Sequence, residues 1–163
     1  MSRQRPGEQG QVALYAVLLF PVLMLVFALV LAVGTLEGLR VRVRAQIDMA
    51  ALTATQALDP TALATGAQPR LDPARADALA REYLARNLAG HDLGLVASPA
   101  SIAAGATVAV SNEPGIDPIT GSTNSAPTVS IRIEVPARIT LLGIAGLDPV
   151  VTLTLDGSAA ART

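Results

Sequence analysis

Residues 9–36 read QGQVALYAVLLFPVLMLVFALVLAVGTL, from Gln9 to Leu36, and no charged side chain lies between Glu8 and Glu37. Sixteen of these residues are Leu, Val or Phe. On an insertion scale such residues together gain on the order of 5–10 kcal/mol by entering a bilayer. As a helix, Val12 to Leu36 would extend about 37 Å, enough to cross a ~30 Å hydrocarbon layer with some tilt. A buried core helix is the competing reading, but such helices rarely run this far without a polar face. The stretch is therefore expected to be a transmembrane helix over 9–36. Pro21 interrupts its backbone hydrogen bonding and predicts a kink, which membrane helices tolerate. Gly34 and Gly38 form a small-xxx-small pair that lets another helix approach.

Outward from this stretch, residues 1–8 are a short polar tail with Arg3 and Arg5, expected in the cytoplasm. Arg40, Arg42 and Arg44 flank the other end, so basic residues do not fix the orientation by number. A short basic tail before a long exported domain is the layout of a signal anchor, with the N-terminus in and the C-terminal domain outside. A cleaved signal peptide competes, because Ala32-Val33-Gly34 offers small residues before Thr35. The apolar run is about twice the ~7–15 residues of a signal peptide's apolar core.

Past the span, Leu36, Leu39, Val43, Ile47, Ala50, Ala54 and Leu58 recur at spacings of three and four, one helical face. A strand over Leu39–Ala45 is the alternative, since apolar residues there alternate with Arg40, Arg42 and Arg44. The Ala-rich run after Asp48 favours helix, and Arg44–Asp48 is an i,i+4 pair. The expected helical continuation is 37–58, ended by Asp59-Pro60. Residues 59–71, with Pro60, Gly66 and Pro69, read as a linker.

Asp72-Pro73 opens a second helix, with Asp72 as N-cap. Its apolar stripe is Ala76, Leu79, Ala80, Tyr83, Leu84 and Leu88; Asp77–Arg81 and Glu82–Arg86 pair on the wet side, and Gly90 caps the end. Beyond His91 the pattern turns to strands over Thr107–Val110, Thr128–Val135 and Val150–Leu155. Asn112–Pro127 reads as a long exposed loop. Ile139–Leu147, ITLLGIAGL, is apolar and broken by glycine, either a buried turn or a patch for a partner or the membrane. The expected fold is α+β: a long N-terminal transmembrane and amphipathic helix, then a small extracytoplasmic domain over 72–163 with a second helix and a small antiparallel sheet.

Composition narrows the chemistry. The 163 residues carry a net charge of −1, with twelve Arg, no Lys, one His and no Cys. Disulfides, thiolate metal sites and a lipidated cysteine are excluded, and nothing draws the chain toward nucleic acid. Tyr83 is the one aromatic outside 9–36, so the exported domain must build its core from Ala, Val, Leu and Ile. Such a domain, small and free of disulfides, is expected to be marginally stable and to lean on a partner or on its own helical rod. His91 beside Asp92 suggests a catalytic base only where a nucleophile motif accompanies it, and there is none. Asn112, Glu113, Asp117 and Asn124 offer oxygens to calcium, but not at EF-hand spacing. No phosphate loop or dinucleotide fingerprint occurs. The expectation is no catalytic residue, no cofactor, no metal and no small-molecule substrate.

Two segments carry a resemblance. GQVALYAVLLFPVL, from Gly10 to Leu23, and RAQIDMAALTA, from Arg44 to Ala54, resemble the N-terminal region of Tad/Flp pilus-assembly proteins of the TadE/TadG-like family. The matching positions are Gly10, Gln11, Pro21, Gln46, Asp48, Ala50, Ala51 and Leu52, within residues 9–58. Beyond residue 58 the likeness is architectural, to pseudopilins. The resemblance implies a non-catalytic structural or assembly component of a bacterial pilus. That protein would be single-pass in the inner membrane, with the lipid bilayer and other pilin-like or pilus-assembly membrane proteins as partners. It also implies a processing site between Gly10 and Gln11. Here the chain departs from the prepilin pattern, because Tyr15 stands where prepilin-like members carry Glu, and Val33-Gly34 where many relatives are acidic. A membrane-tethered extracytoplasmic binding or sensor domain unrelated to pili is the alternative.

Overall fold

The computed structural model describes residues 6–66, 68–91, 93–138 and 150–161, with side chains from Leu14 onward. Helix α1 runs Pro6–Ala54, through Pro21 and through the Leu39–Ala45 stretch that also alternates like a strand. Among the described residues it is the one helix long and apolar enough to cross a membrane, with a mean hydropathy of 3.1 in its most apolar stretch. Two compact units divide the described chain: α1 as far as Glu37, and Gly38–Arg138 with the residues from Val150 on.

In the first unit, the large apolar side chains from Leu14 to Val33 are exposed, Val17 and Leu19 by about two thirds. The second unit is α+β. After α1, the chain forms the short helix α2 (Pro60–Ala64), α3 (Pro73–Ala89) and α4 (Pro99–Ala104). A three-stranded antiparallel sheet has the order β1 (Thr107–Ser111), β4 (Thr128–Arg138), β5 (Val150–Ala160). A two-stranded hairpin, β2 (Gly115–Ile116) with β3 (Thr123–Asn124), lies between β1 and β4 in sequence.

Local chemistry explains these elements. Asp72 sits in an extended conformation and accepts from the Ala74 and Arg75 N–H groups at 3.0 and 3.2 Å, while Pro73 starts the helix where no N–H is needed. Asp59 and Ser98 cap α2 and α4 in the same way, each followed by proline. Gly90 ends α3 with φ −72°, so its role there needs no left-handed backbone. In β4, Val129, Ile131, Ile133, Val135 and Ala137 face the core, at 1% exposure or less. Pro136 is tolerated in this central strand because β1 reaches only Arg132. Beyond that point the free carbonyl of Pro136 accepts from Val96 N–H at 3.1 Å.

One core joins α1, α3 and α4 to the sheet. Val43, Ile47, Ala50, Ala51 and Ala54 of α1 cluster with Ala76, Ala80, Leu84 and Leu88 of α3, Ile102 and Ala103 of α4, the β4 residues and Leu155 of β5. Ala, Val, Leu and Ile supply all of it. The alanines let helix backbones come close, which compensates for the absence of aromatic bulk.

Several expectations are corrected here. Residues 59–71 are no plain linker. They hold α2, and Leu58 bridges Leu71 while Asp59 N–H donates to Arg70 O and Asp72 N–H to Ala57 O, both at 2.8 Å. Helix α1 ends at Ala54, four residues before Leu58. Asn112–Pro127 is a folded hairpin with Asp117 and Ile119 buried, not an open loop. β4 and β5 each extend further than the alternation predicts, to Arg138 and Ala160. Helix α4 lies in a region expected to hold strands alone. Ile139–Leu147 lies outside the described residues.

Candidate functional site

The functional question centres on the α1 residues that pack into the folded unit. They include three of the eight family-like positions, Gln46, Ala50 and Ala51. Ala50 and Ala51 are fully buried, Gln46 is half-buried, and Leu52 is 50% exposed. Gly10, Gln11 and Pro21 lie within α1. The pattern of small residues is thus a packing pattern: two consecutive alanines fill positions of the core where the α1 backbone meets its neighbours.

Asp48 has a more specific position. It lies against Gly157 of β5, where a Cβ would overlap Asp48 Oδ1 and come within 2.9 Å of Ile47 Cγ2. A side chain at this position would require the Asp48 and Ile47 side chains to shift. Loss of solvent pushes the Asp48 carboxyl pKa up; the Arg44 guanidinium works against that shift, and the Asp156 carboxylate adds to it. Gly157 was not predicted from the sequence. The available signal was a glycine inside a strand pattern, which marks close backbone approach.

A second cluster forms on the other face of β4. Asp117 is 2% exposed. Its Oδ1 accepts from Ile119 N–H and Thr120 N–H at 2.8 and 2.7 Å. Its Oδ2 accepts from Asn124 Nδ2 at 3.3 Å and from the Ser130 hydroxyl. Burial acts to raise the Asp117 pKa, but the donors from Ser130, Thr120 and Ile119 outweigh it and hold the carboxyl at about 2. The Arg132 guanidinium donates to Ile119 O. These bonds fasten the β2–β3 hairpin to β4, and Ser130, fully buried, is a partner that alternation alone marks as solvent-facing.

The four oxygen-bearing residues considered for calcium therefore do separate structural work. Asn112 mimics a strand partner for Leu71, accepting from its N–H at 2.7 Å and donating to its carbonyl at 2.9 Å. Glu113 pairs with Arg70 at 3.6 Å. Asn124 serves Asp117. Among the described residues no group of three or more His, Asp or Glu side chains is placed to hold a metal ion. His91 Nδ1 lies 3.0 Å from Asn87 O at the end of α3; Asp92 lies outside the described residues. On α3, Asp77–Arg81 and Glu82–Arg86 form their ion pairs at 2.9 and 2.8 Å. Arg81 also donates to the carbonyls of Ala103 and Ala104, satisfying the end of α4.

Compared with family models, curated proteins and solved structures, the chain matches none.

Proposed function

We propose that this protein is a non-catalytic, single-pass membrane component of a bacterial Tad/Flp-type pilus system, a minor pilin-like subunit or assembly factor. Its apolar N-terminal helix resides in the inner membrane, and its α+β unit lies outside the cytoplasm. The observation that carries this reading is the double character of α1. One helix exposes its large apolar side chains over Leu14–Val33 and then contributes Val43, Ile47, Ala50, Ala51 and Ala54 to the core of the folded unit. A helix built in this way cannot present its first half to water at low cost, because its large Leu, Val and Phe side chains are exposed. The family-like residues supply the pilus part of the reading, and neighbouring pilin-like helices would supply contacts along the span.

Fractionation followed by mass spectrometry of the mature N-terminus tests this. The expected result is a chain that stays with the inner membrane through alkaline wash and needs detergent for release. It should also co-purify with other pilus-assembly membrane proteins of the same cell. A start at Gln11 would indicate prepilin-type processing; a start at Thr35 would indicate a cleaved signal peptide and would overturn the anchor. Recovery of the full-length chain as a monomer from cytosol without detergent would overturn the whole reading.

A further inference from the structure

We infer that the outer edge of β5, from Thr152 to Ser158, takes up an extended strand of a partner protein that carries an Arg or Lys opposite Asp156. This goes beyond the pilus reading and does not rest on the membrane span.

β5 closes one side of the three-stranded sheet, and no described strand pairs with its far side. Its register with β4 is unbroken from Thr128↔Ala160 to Arg138↔Val150, and Ala161 N–H donates to Pro127 O. In an antiparallel ladder, alternate residues turn their backbone groups toward the partner and away from it. The bond from Ala161 sets the phase. Leu153, Leu155 and Gly157 bond to β4, while Thr152, Thr154, Asp156 and Ser158 turn their N–H and C=O groups outward. Among the described residues, nothing donates to or accepts from those outward groups. Edge strands are normally kept short or broken by Pro, Lys or a bulge, because bare backbone recruits another strand. The opposite edge, β1, has five residues. β5 has eleven, with no Pro, Lys, Arg or bulge.

The side chains at this edge define the occupant. Thr152, Thr154, Asp156 and Ser158 share one face of β5, and Val151, Leu153 and Leu155 the other. A matching strand therefore alternates polar with apolar residues. Asp156 is the one charged residue of β5. Its cross-strand neighbour Arg132 donates to Ile119 O, and the ion pairs of the described residues do not include Asp156. A second carboxylate is near: burial raises the Asp48 pKa, the Arg44 guanidinium works against the rise, and the Asp156 carboxylate adds to it. The edge thus presents bare backbone beside a carboxylate that a basic side chain would complement. A second copy's β5 would bring another Asp156 and no Arg or Lys, so charge selects a basic strand over a second copy.

Amide exchange is followed by NMR on the full-length protein in detergent micelles. The probes are the capped peptide Thr-Val-Thr-Val-Arg-Val-Thr-Val-Thr and its analogue with Glu in place of Arg. The Arg peptide should slow exchange severalfold at the outward N–H groups of Thr152, Thr154 and Asp156. Leu153 and Leu155, already tied to β4, should change little. The Glu peptide should bind severalfold more weakly, and the gap should narrow in high salt and in Asp156→Asn. Thr154→Pro removes an outward N–H and no bond of the ladder, so it should keep the β4–β5 pairing and lose the peptide. No slowing with the Arg peptide, slowing confined to Leu153 and Leu155, or equal binding of the two peptides would overturn the inference. Protection of the outward groups that grows with the concentration of the protein alone would assign the edge to a second copy, and would overturn it too. The wild-type arms stand even where Thr154→Pro does not fold.

Discussion

At the scale of single residues, three positions decide how the folded unit holds together. Gly157 permits the contact between α1 and β5. Gly157→Ala would drive a methyl group into Asp48 and Ile47, and overpacking of this kind costs about 1–3 kcal/mol. The expected outcome is a lower chemical-denaturation midpoint with an unchanged slope. Asp48→Ala combined with it should recover part of the loss, because the nearest obstacle is then gone. The carboxylates of Asp117 and Asp48 respond to pH in opposite directions. Asp117 has a folded pKa of about 2, below its ordinary value of 3.8, so its ionised form stabilises the fold at neutral pH. That contribution, about 2 kcal/mol, fades as pH falls from about 4 through about 2. Asp48 is shifted upward. Its contribution is present below its ordinary pKa and is lost as pH rises through the raised value. Asp117→Asn should therefore lower the melting temperature at neutral pH, and Asp48→Asn should raise it slightly. Thermal melts across acidic and neutral pH check both signs.

At the scale of elements, the parts that sequence reading reached are those with a long period or a strong terminal signal. Helix α3 combines an Asp-Pro start with a stripe in which Ala76, Ala80, Leu84 and Leu88 are all buried. Leu84→Ala should cost about 2–5 kcal/mol, read from the denaturation midpoint, because the surrounding small side chains leave little to refill the void. β4 was legible because Val129, Ile131, Ile133 and Val135 alternate strictly with polar residues. The far half of β5 was not. Asp156, Gly157, Ser158 and the alanines after them have poor strand propensity, and they are held by pairing with β4 over Thr128–Arg132 rather than by their own preference. Helix α4 has six residues, less than two turns, too few for a period to stand out. The Asp117 cluster was hidden for another reason. An aspartate in a stretch rich in Gly, Pro and Ser reads as a wet turn, and nothing local reveals that Ser130, thirteen residues later, will bury it. The docking surface of α1 was half legible: the apolar period identified Val43, Ile47, Ala50 and Ala54 as one face, while their partner on β5 depends on a single glycine in a small-residue run.

At the scale of the molecule, the same helix carries the exposed apolar side chains of Leu14–Val33 and part of the core, and this bears on what counts as an independently folding piece. The compact unit that contains the sheet begins at Gly38, not after the second Asp-Pro. Without α1 the core loses Val43, Ile47, Ala50, Ala51 and Ala54, all fully buried, and the inner face of the sheet and the stripe of α3 are left partly open to water. Small domains hold their folds by a few kcal/mol, and a loss of five buried apolar side chains exceeds that margin. A fragment of residues 60–163 should accordingly lack a cooperative melt and bind a hydrophobic dye. A fragment of residues 38–163 should unfold in one cooperative step, because it keeps the docked part of α1 while leaving out the apolar surface of Leu14–Val33. Equal cooperativity in the two fragments would mean that α1 is merely laid on a finished domain. The predicted contrast means that the Val43–Ala54 face of α1 completes the domain, so that the folded unit is not finished without that part of the helix.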